Sequence, residues 1–133
     1  MGRMILAILT GYVLIGVLVT ITDKIFASVV PGFGAMATPP QFYFLVTLGT
    51  DFVFSIVGGY VCSWIARERA SEATWCLIAL GETIGVASQF LTWKTVPHWF
   101  GIGLLVLYPL AIWIGSRLRP EVRAAALDPK VEV

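Results

Sequence analysis

Two acidic residues stand inside otherwise apolar stretches of the sequence, and they are the residues best placed to do chemistry. Asp51 lies within the apolar run from about 42 to 66, and Glu82 lies within the run from about 73 to 93. At 1.5 Å per helical residue, each acid lies about 14 Å from one end of its run. In a hydrocarbon core of about 30 Å, both acids are therefore predicted near the midplane.

An acid at that depth carries a free-energy cost that needs a physical reason. A charged Asp at the centre of a bilayer costs on the order of 3 kcal/mol even on the lenient insertion scale, and neither run contains Lys, Arg or His to offset it. Because low dielectric disfavours the charged form, we expect at least one of Asp51 and Glu82 to be protonated at neutral pH. Two roles stay open: a proton or cation site, or neutral hydrogen bonding between helices, which Gln89 could join.

Small residues at helical spacing indicate surfaces where helices approach each other closely. Ser55, Gly59 and Ser63 are four residues apart in one run, and Gly81 and Gly85 have the same spacing in the next. Such spacing lets two backbones pack together, which matters in lipid because burial of apolar surface no longer drives helix association. The pattern predicts packing within a hairpin of these two runs, with contact to another subunit as the alternative.

The other reactive side chains exclude most enzyme classes. His98 is the only histidine, and Cys62 and Cys76 are too few and too far apart for a zinc or redox motif. The sequence has no G-x-G-x-x-G, G-K-[ST] or H-E-x-x-H motif, and no Ser/His/Asp set within the apolar runs. We therefore expect a protein that is not an enzyme and that needs no metal or other cofactor.

The elements that must position the acids are helices long enough to cross a bilayer. Of the 133 residues, 58% are hydrophobic and only 13% are charged, whereas a soluble domain carries about 25% charged residues. Four stretches reach the roughly 20 apolar residues that a spanning helix needs. They cover residues 4–22, 42–66, 73–93 and 99–118. The predicted fold is an all-α, up-down-up-down bundle of four transmembrane helices in residues 1–119, with a polar cytoplasmic tail at 120–133.

The distribution of basic residues predicts the orientation. Seven of the nine lie on one side of the four predicted spans. These seven are Arg3, Arg67, Arg69, Arg117, Arg119, Arg123 and Lys130, whereas Lys24 and Lys94 lie on the other side. Because basic residues accumulate on the cytoplasmic side, both termini are expected in the cytoplasm. Tryptophans are expected at the two interfaces, with Trp64, Trp75 and Trp113 at the inner one and Trp93 and Trp99 at the outer one.

Several short motifs resemble a pattern that recurs in bacterial membrane proteins. They are Asp51, Gly58-Gly59-Tyr60, Ile65-Ala66-Arg67, Thr92-Trp93 and Pro97-His98-Trp99. On these motifs the chain is similar to small four-helix bacterial membrane proteins that have no assigned activity. The resemblance implies a multi-pass protein of the bacterial inner membrane and implies no reaction. Small multidrug exporters of similar length keep an essential glutamate in their first helix, and here no acid precedes Asp23.

Two functions from different classes fit these observations. The leading hypothesis is a non-enzymatic accessory subunit of a membrane assembly or homo-oligomer, because four short-looped helices leave most of their surface available for contacts. The alternative is a small proton- or cation-coupled transporter that uses Asp51 and Glu82. The expected partners are the lipid bilayer and other membrane subunits or further copies of the chain. Nucleic acid is not expected, since the net charge is +1. A dry, hydrogen-bonded acid pair would indicate a subunit, and a wet cleft would indicate transport.

Overall fold

The computed structural model describes residues 1–32 and 40–120, and its regular elements are helices. They are α1 (Gly2–Val29), α2 (Gln41–Ala66), α3 (Ala70–Thr92) and α4 (His98–Arg117), with a 3-10 turn at Arg67–Arg69 between α2 and α3. No strand occurs within the described ranges. The prediction of an all-α protein is therefore confirmed. Residues 121–133, which make up nearly all of the predicted tail and include Arg123 and Lys130, lie outside the described residues.

Three helical segments are long and apolar enough to cross a membrane. They are Gly2–Val29, Gln41–Thr92 and His98–Arg117. The middle segment has 52 residues and contains α2, the 3-10 turn and α3. Large apolar side chains also cover the outside of the molecule, among them Leu6, Leu45, Phe90, Leu91 and Val106. An exposed apolar surface of this extent belongs in lipid rather than in water, so the chain is a helical membrane protein.

Helix α1 is longer than the predicted span of residues 4–22. It continues through Asp23 and Lys24 to Val29, because these residues are exposed or half-buried and nothing before Pro31 prevents the next helical hydrogen bond. Val30, the residue before the proline, is extended with φ −97° and ψ 108°, as the proline ring requires of its neighbour. Gly32 then turns the chain with a φ of 74°.

The connection between α2 and α3 is shorter than the six residues left between the predicted spans of 42–66 and 73–93. Helix α3 begins at Ala70, because Ser71 and Glu72 stand exposed on its first turn and need no loop. Arg67 ends α2 with a positive φ of 53°. The carbonyl oxygens of Ser63 and Arg67 accept backbone N–H bonds from Arg67 and Ala70. The buried Arg119 also donates to them from Nη1, at 2.8 Å and 3.1 Å, and so joins the end of α4 to the end of α2.

The chain folds back on itself between α2 and α3. Both Cys62 and Leu77 lie next to Gly11 of α1, at 3.1 and 3.2 Å from the position that a Cβ would take there. In one straight helix these two residues would stand about 22 Å apart. Helix α3 therefore runs antiparallel to α2, and both pack against α1.

The small residues pack mainly against α4, which differs from the predicted contact within the α2–α3 hairpin. Backbone atoms of Ile112 in α4 occupy the space beside Gly59, Tyr108 covers Gly81, and Leu105 covers Gly85. Ser55 and Ser63 are both buried. The reason is that α2 contacts α1 and α4 more extensively than it contacts α3, so its closest-packed face is turned away from α3.

The packed core lies toward the end of the molecule that contains the 3-10 turn. Its members are Ala7, Ile15, Cys62, Ala66, Ala73, Leu77, Ile78 and Ile112. At the opposite end, Phe44 packs against Phe100 and Trp99 with ring centroids 5.0 and 6.5 Å apart. Between these two packed layers the helices separate, and this gap contains the site described next.

Candidate functional site

A cavity of about 470 Å³ lies between all four helices, at the level of the two acids. Its apolar lining includes Ile15, Leu48, Phe52 and Leu105. Its polar lining consists of Tyr12, Thr20, Asp51, Ser55, Glu82, Ser88, Gln89 and Tyr108. The structure thus brings Asp51, Glu82 and Gln89 to one cavity, together with the small residues Ser55, Gly81 and Gly85. Gly59 and Ser63 are not part of its lining.

Helical periodicity explains why these side chains meet. Asp51 and Ser55 are four residues apart, and Glu82, Gly85 and Gln89 are three and four apart, so each set shares one face of its helix. The antiparallel course of α2 and α3 then brings the two faces to the same level. Helices α1 and α4 complete the enclosure.

The carboxyl groups are not satisfied by the protein. Within the described ranges no hydrogen bond reaches the side chain of Asp51 or Glu82, and Oε1 of Glu82 is buried without a hydrogen-bond partner. A buried polar atom left unpaired costs about 1–3 kcal/mol. The arrangement therefore differs from a dry, mutually hydrogen-bonded pair that joins two helices.

The charge of the lining selects for one class of ligand. Asp51 and Glu82 are its ionisable acids, and its described residues include no Lys, Arg or His. Asp23 lies near the end of α1 and accepts a hydrogen bond from the hydroxyl of Tyr43 at 3.0 Å. A weakly polar space with acids and no bases favours protons and cations and disfavours anions.

Two tyrosines of the cavity were missed by the sequence analysis. The hydroxyl of Tyr108 donates to the carbonyl oxygen of Leu77 at 3.2 Å, and Tyr12 of α1 also lines the cavity. Both lie near the middle of their helices, whereas tyrosine in membrane proteins prefers the interfaces. That unusual depth is the signal that could have identified them. With Phe52 they give the lining three aromatic side chains, a type of residue that can attract cations.

The cavity opens to the surface between α1 and α3. Thr20 on α1 and Ile84 and Ser88 on α3 line it and are exposed. These two helices also have fewer contacts with each other than the neighbouring pairs α1 with α2 and α3 with α4. In a membrane, an opening between two spanning helices faces lipid.

The remaining predicted residues lie away from the cavity. His98 packs against Trp93 with ring centroids 4.0 Å apart. Cys62 is buried, Cys76 is exposed, and both are free thiols. In the part of the chain that the structure describes, no group of three or more His, Cys, Asp or Glu residues is arranged to hold a metal ion.

Fold and site together define a helical membrane protein with an acidic cavity between its helices. Comparison with protein-family models, with curated proteins and with solved structures finds no match to this chain.

Proposed function

We propose that this protein is a small proton- or cation-coupled transporter of the bacterial inner membrane, with Asp51 and Glu82 as its binding groups. One observation carries the proposal: two acids on different helices line a single cavity, with no basic residue among its described lining and with a buried Glu82 oxygen unpaired. This reverses the order of the two hypotheses drawn from the sequence, because the pair expected of a structural subunit would be hydrogen-bonded.

The proposed membrane arrangement has four crossings, one for each helix, and both termini in the cytoplasm. The helices contain 28, 26, 23 and 20 residues, and a crossing needs about 20. The reversal between α2 and α3 supports two crossings in the 52-residue segment. The basic residues near the 3-10 turn and after α4 support a cytoplasmic location for that end.

The proposed chemistry is competition between a proton and a cation for the same carboxyl groups. Without a cation, the low dielectric favours protonated, neutral acids. A cation in the cavity stabilises the ionised form, so its binding releases a proton from Asp51 or Glu82, and its departure allows the acid to be protonated again. The lateral opening and the aromatic side chains of Tyr12, Phe52 and Tyr108 in the lining favour a hydrophobic organic cation.

Transport by reconstituted protein tests the proposal. Proteoliposomes with an acidic lumen are expected to take up ethidium, a permanently charged aromatic cation. They are expected to release protons from the lumen as they do so. Glu82→Gln and Asp51→Asn should reduce both signals at least tenfold, because an amide cannot exchange a proton.

Glu72→Gln is the matched control. Glu72 is also an acid on α3, but it is exposed and paired with Arg69 at 2.7 Å, so its removal should leave transport unchanged. A wild type without cation or proton flux, or a loss of flux that is equal in all three variants, would contradict the proposed function.

The accessory-subunit hypothesis keeps one observation in its favour. Helix α1 buries only Ala7, Gly11 and Ile15. Its opposite side carries an exposed stripe at every fourth residue, made of Ile5, Leu9, Val13, Val17, Ile21, Ile25 and Val29. Such a stripe suits a neighbouring helix as well as lipid. Native mass spectrometry after extraction in mild detergent would support a subunit role if a second protein is retained in fixed stoichiometry.

A further inference from the structure

A second pocket, of about 810 Å³, lies at the end of the molecule where α2 turns into α3 and where α4 ends. Its lining combines tryptophans with charged and small polar residues. The charged residues of the lining are Arg67, Glu68, Arg117 and Arg119. Three guanidinium groups and one carboxylate make this pocket basic, in contrast to the cavity between the helices.

The three arginines hold different positions in this pocket. Arg119 is buried and donates to the end of α2, as described above. The guanidinium of Arg117 lies 5.0 Å from the centroid of the Trp113 ring, over its face. Arg67 is exposed and has a left-handed backbone conformation that residues with a side chain seldom adopt. The exposed Arg67 and Arg117 are thus available at the pocket lining.

The first turn of α3 adds donors to the same pocket. Ala70, Ser71 and Thr74 line it, the backbone N–H of Ala70 is bonded to the carbonyl oxygen of Arg67, and the side chain of Ser71 is exposed. The hydroxyl of Thr74 donates to the carbonyl oxygen of Ala70 at 2.7 Å and so does not serve as a cap. Arginine binds phosphate through paired hydrogen bonds, and the hydroxyl of Ser71 is a further possible donor to the same group.

We propose that this pocket binds the phosphate of an anionic phospholipid. The exposed rings of Trp64, Trp75 and Trp113 place the pocket at the level of lipid headgroups. Basic pockets between transmembrane helices recognise anionic headgroups in this position. The tryptophans favour a lipid over free phosphate, because they offer apolar surface to the glycerol and the first methylene groups, which free phosphate lacks.

Affinity for phosphatidylglycerol in mild detergent, measured by native mass spectrometry, tests this site. Phosphatidylglycerol should bind the wild type at least tenfold more tightly than phosphatidylcholine of the same chain length. Arg67→Gln and Arg117→Gln should each weaken that binding at least threefold. Glu68→Gln should strengthen it, because it removes the one carboxylate from the lining.

Arg69→Gln is the matched control, since it removes the same charge from the same turn but affects a residue outside the pocket that is paired with Glu72. It should change affinity less than twofold. Equal binding of the two lipids, or an Arg69→Gln effect as large as that of Arg67→Gln, would overturn the proposal. Displacement of the lipid by millimolar glycerol phosphate would also overturn it, since the phosphate alone would then be the ligand. Glu68→Gln leaves the arginine contacts intact, so it provides a test even if an arginine variant fails to fold.

Discussion

At the scale of single residues, the informative contrast is between two polar groups in the middle of the bundle. Tyr108 lies over Gly81 and donates a hydrogen bond across to α3, whereas Oε1 of Glu82 is buried without a partner. The first group therefore contributes to stability and the second costs stability. A buried polar atom without a partner in the protein calls for an explanation, and the binding of a proton or cation is the one proposed above.

This contrast gives opposite expectations for two substitutions. Tyr108→Phe should lower stability by about 1 kcal/mol, because it removes one hydrogen bond and leaves the carbonyl of Leu77 without that donor. Glu82→Gln should leave stability unchanged or raise it slightly, because it removes the burial cost of an acid and breaks no hydrogen bond. Apparent unfolding midpoints in mild detergent measure both effects. A larger loss of stability for Glu82→Gln than for Tyr108→Phe would refute the inference that the Glu82 carboxyl group is unpaired.

The sequence was sufficient to identify the acids but not their whole environment. Asp51 and Glu82 could be placed at similar depth, and Glu82 and Gln89 on one face of a helix, because depth and helical periodicity depend only on local spacing. Whether the two acids face each other stayed open. Tyr12 and Tyr108 could not be assigned to the same cavity, because that requires knowing how α1 and α4 are rotated about their axes. Rotation is set by packing between distant parts of the chain.

At the scale of elements, the closest approach in the molecule joins α2 and α4. Gly59 faces backbone atoms of Ile112, and Gly115 faces backbone atoms of Ile56, so neither helix has room for a side chain there. The sequence predicted the small-residue stripe but assigned it to the α2–α3 hairpin, since short loops suggest that neighbours in sequence pack most closely.

The helix ends were predicted well where proline marks them and less well where polar residues continue a helix, as at Asp23 and Ser71.

Alanine substitutions at two glycines of α2 distinguish the effect of close packing from the effect of helix propensity alone. Gly59→Ala should destabilise the protein by about 1–3 kcal/mol, because its methyl group meets helix backbone, which cannot move aside as a side chain could. Gly49→Ala has no atom within 4 Å of the new methyl group and should stabilise by about 0.5–1 kcal/mol, since alanine favours the helix. Thermal unfolding of the two variants measures both changes. Equal effects would show that α2 and α4 do not pack as described.

At the scale of the whole molecule, the proposed topology places both pockets relative to the membrane. The basic pocket would lie at the cytoplasmic face, and the lateral opening of the acidic cavity would lie toward the outer half of the bilayer. Alkaline phosphatase fused after Lys94 should therefore be active in the periplasm, whereas a fusion after Val133 should be inactive. An active Val133 fusion together with an inactive Lys94 fusion would show that the topology is the reverse of the one proposed.

The unequal lengths of the helices have a consequence for how the bilayer acts on the protein. Helix α1, with 28 residues, is about 42 Å long, and α4, with 20 residues, is about 30 Å long. A membrane that matches α4 therefore forces α1 to tilt or to protrude, and a thicker membrane lets it stand upright. Because α1 forms one wall of the cavity from Tyr12 to Thr20, its tilt changes the gap to α3. We expect the acyl-chain length of the host membrane to tune how readily the cavity admits its ligand.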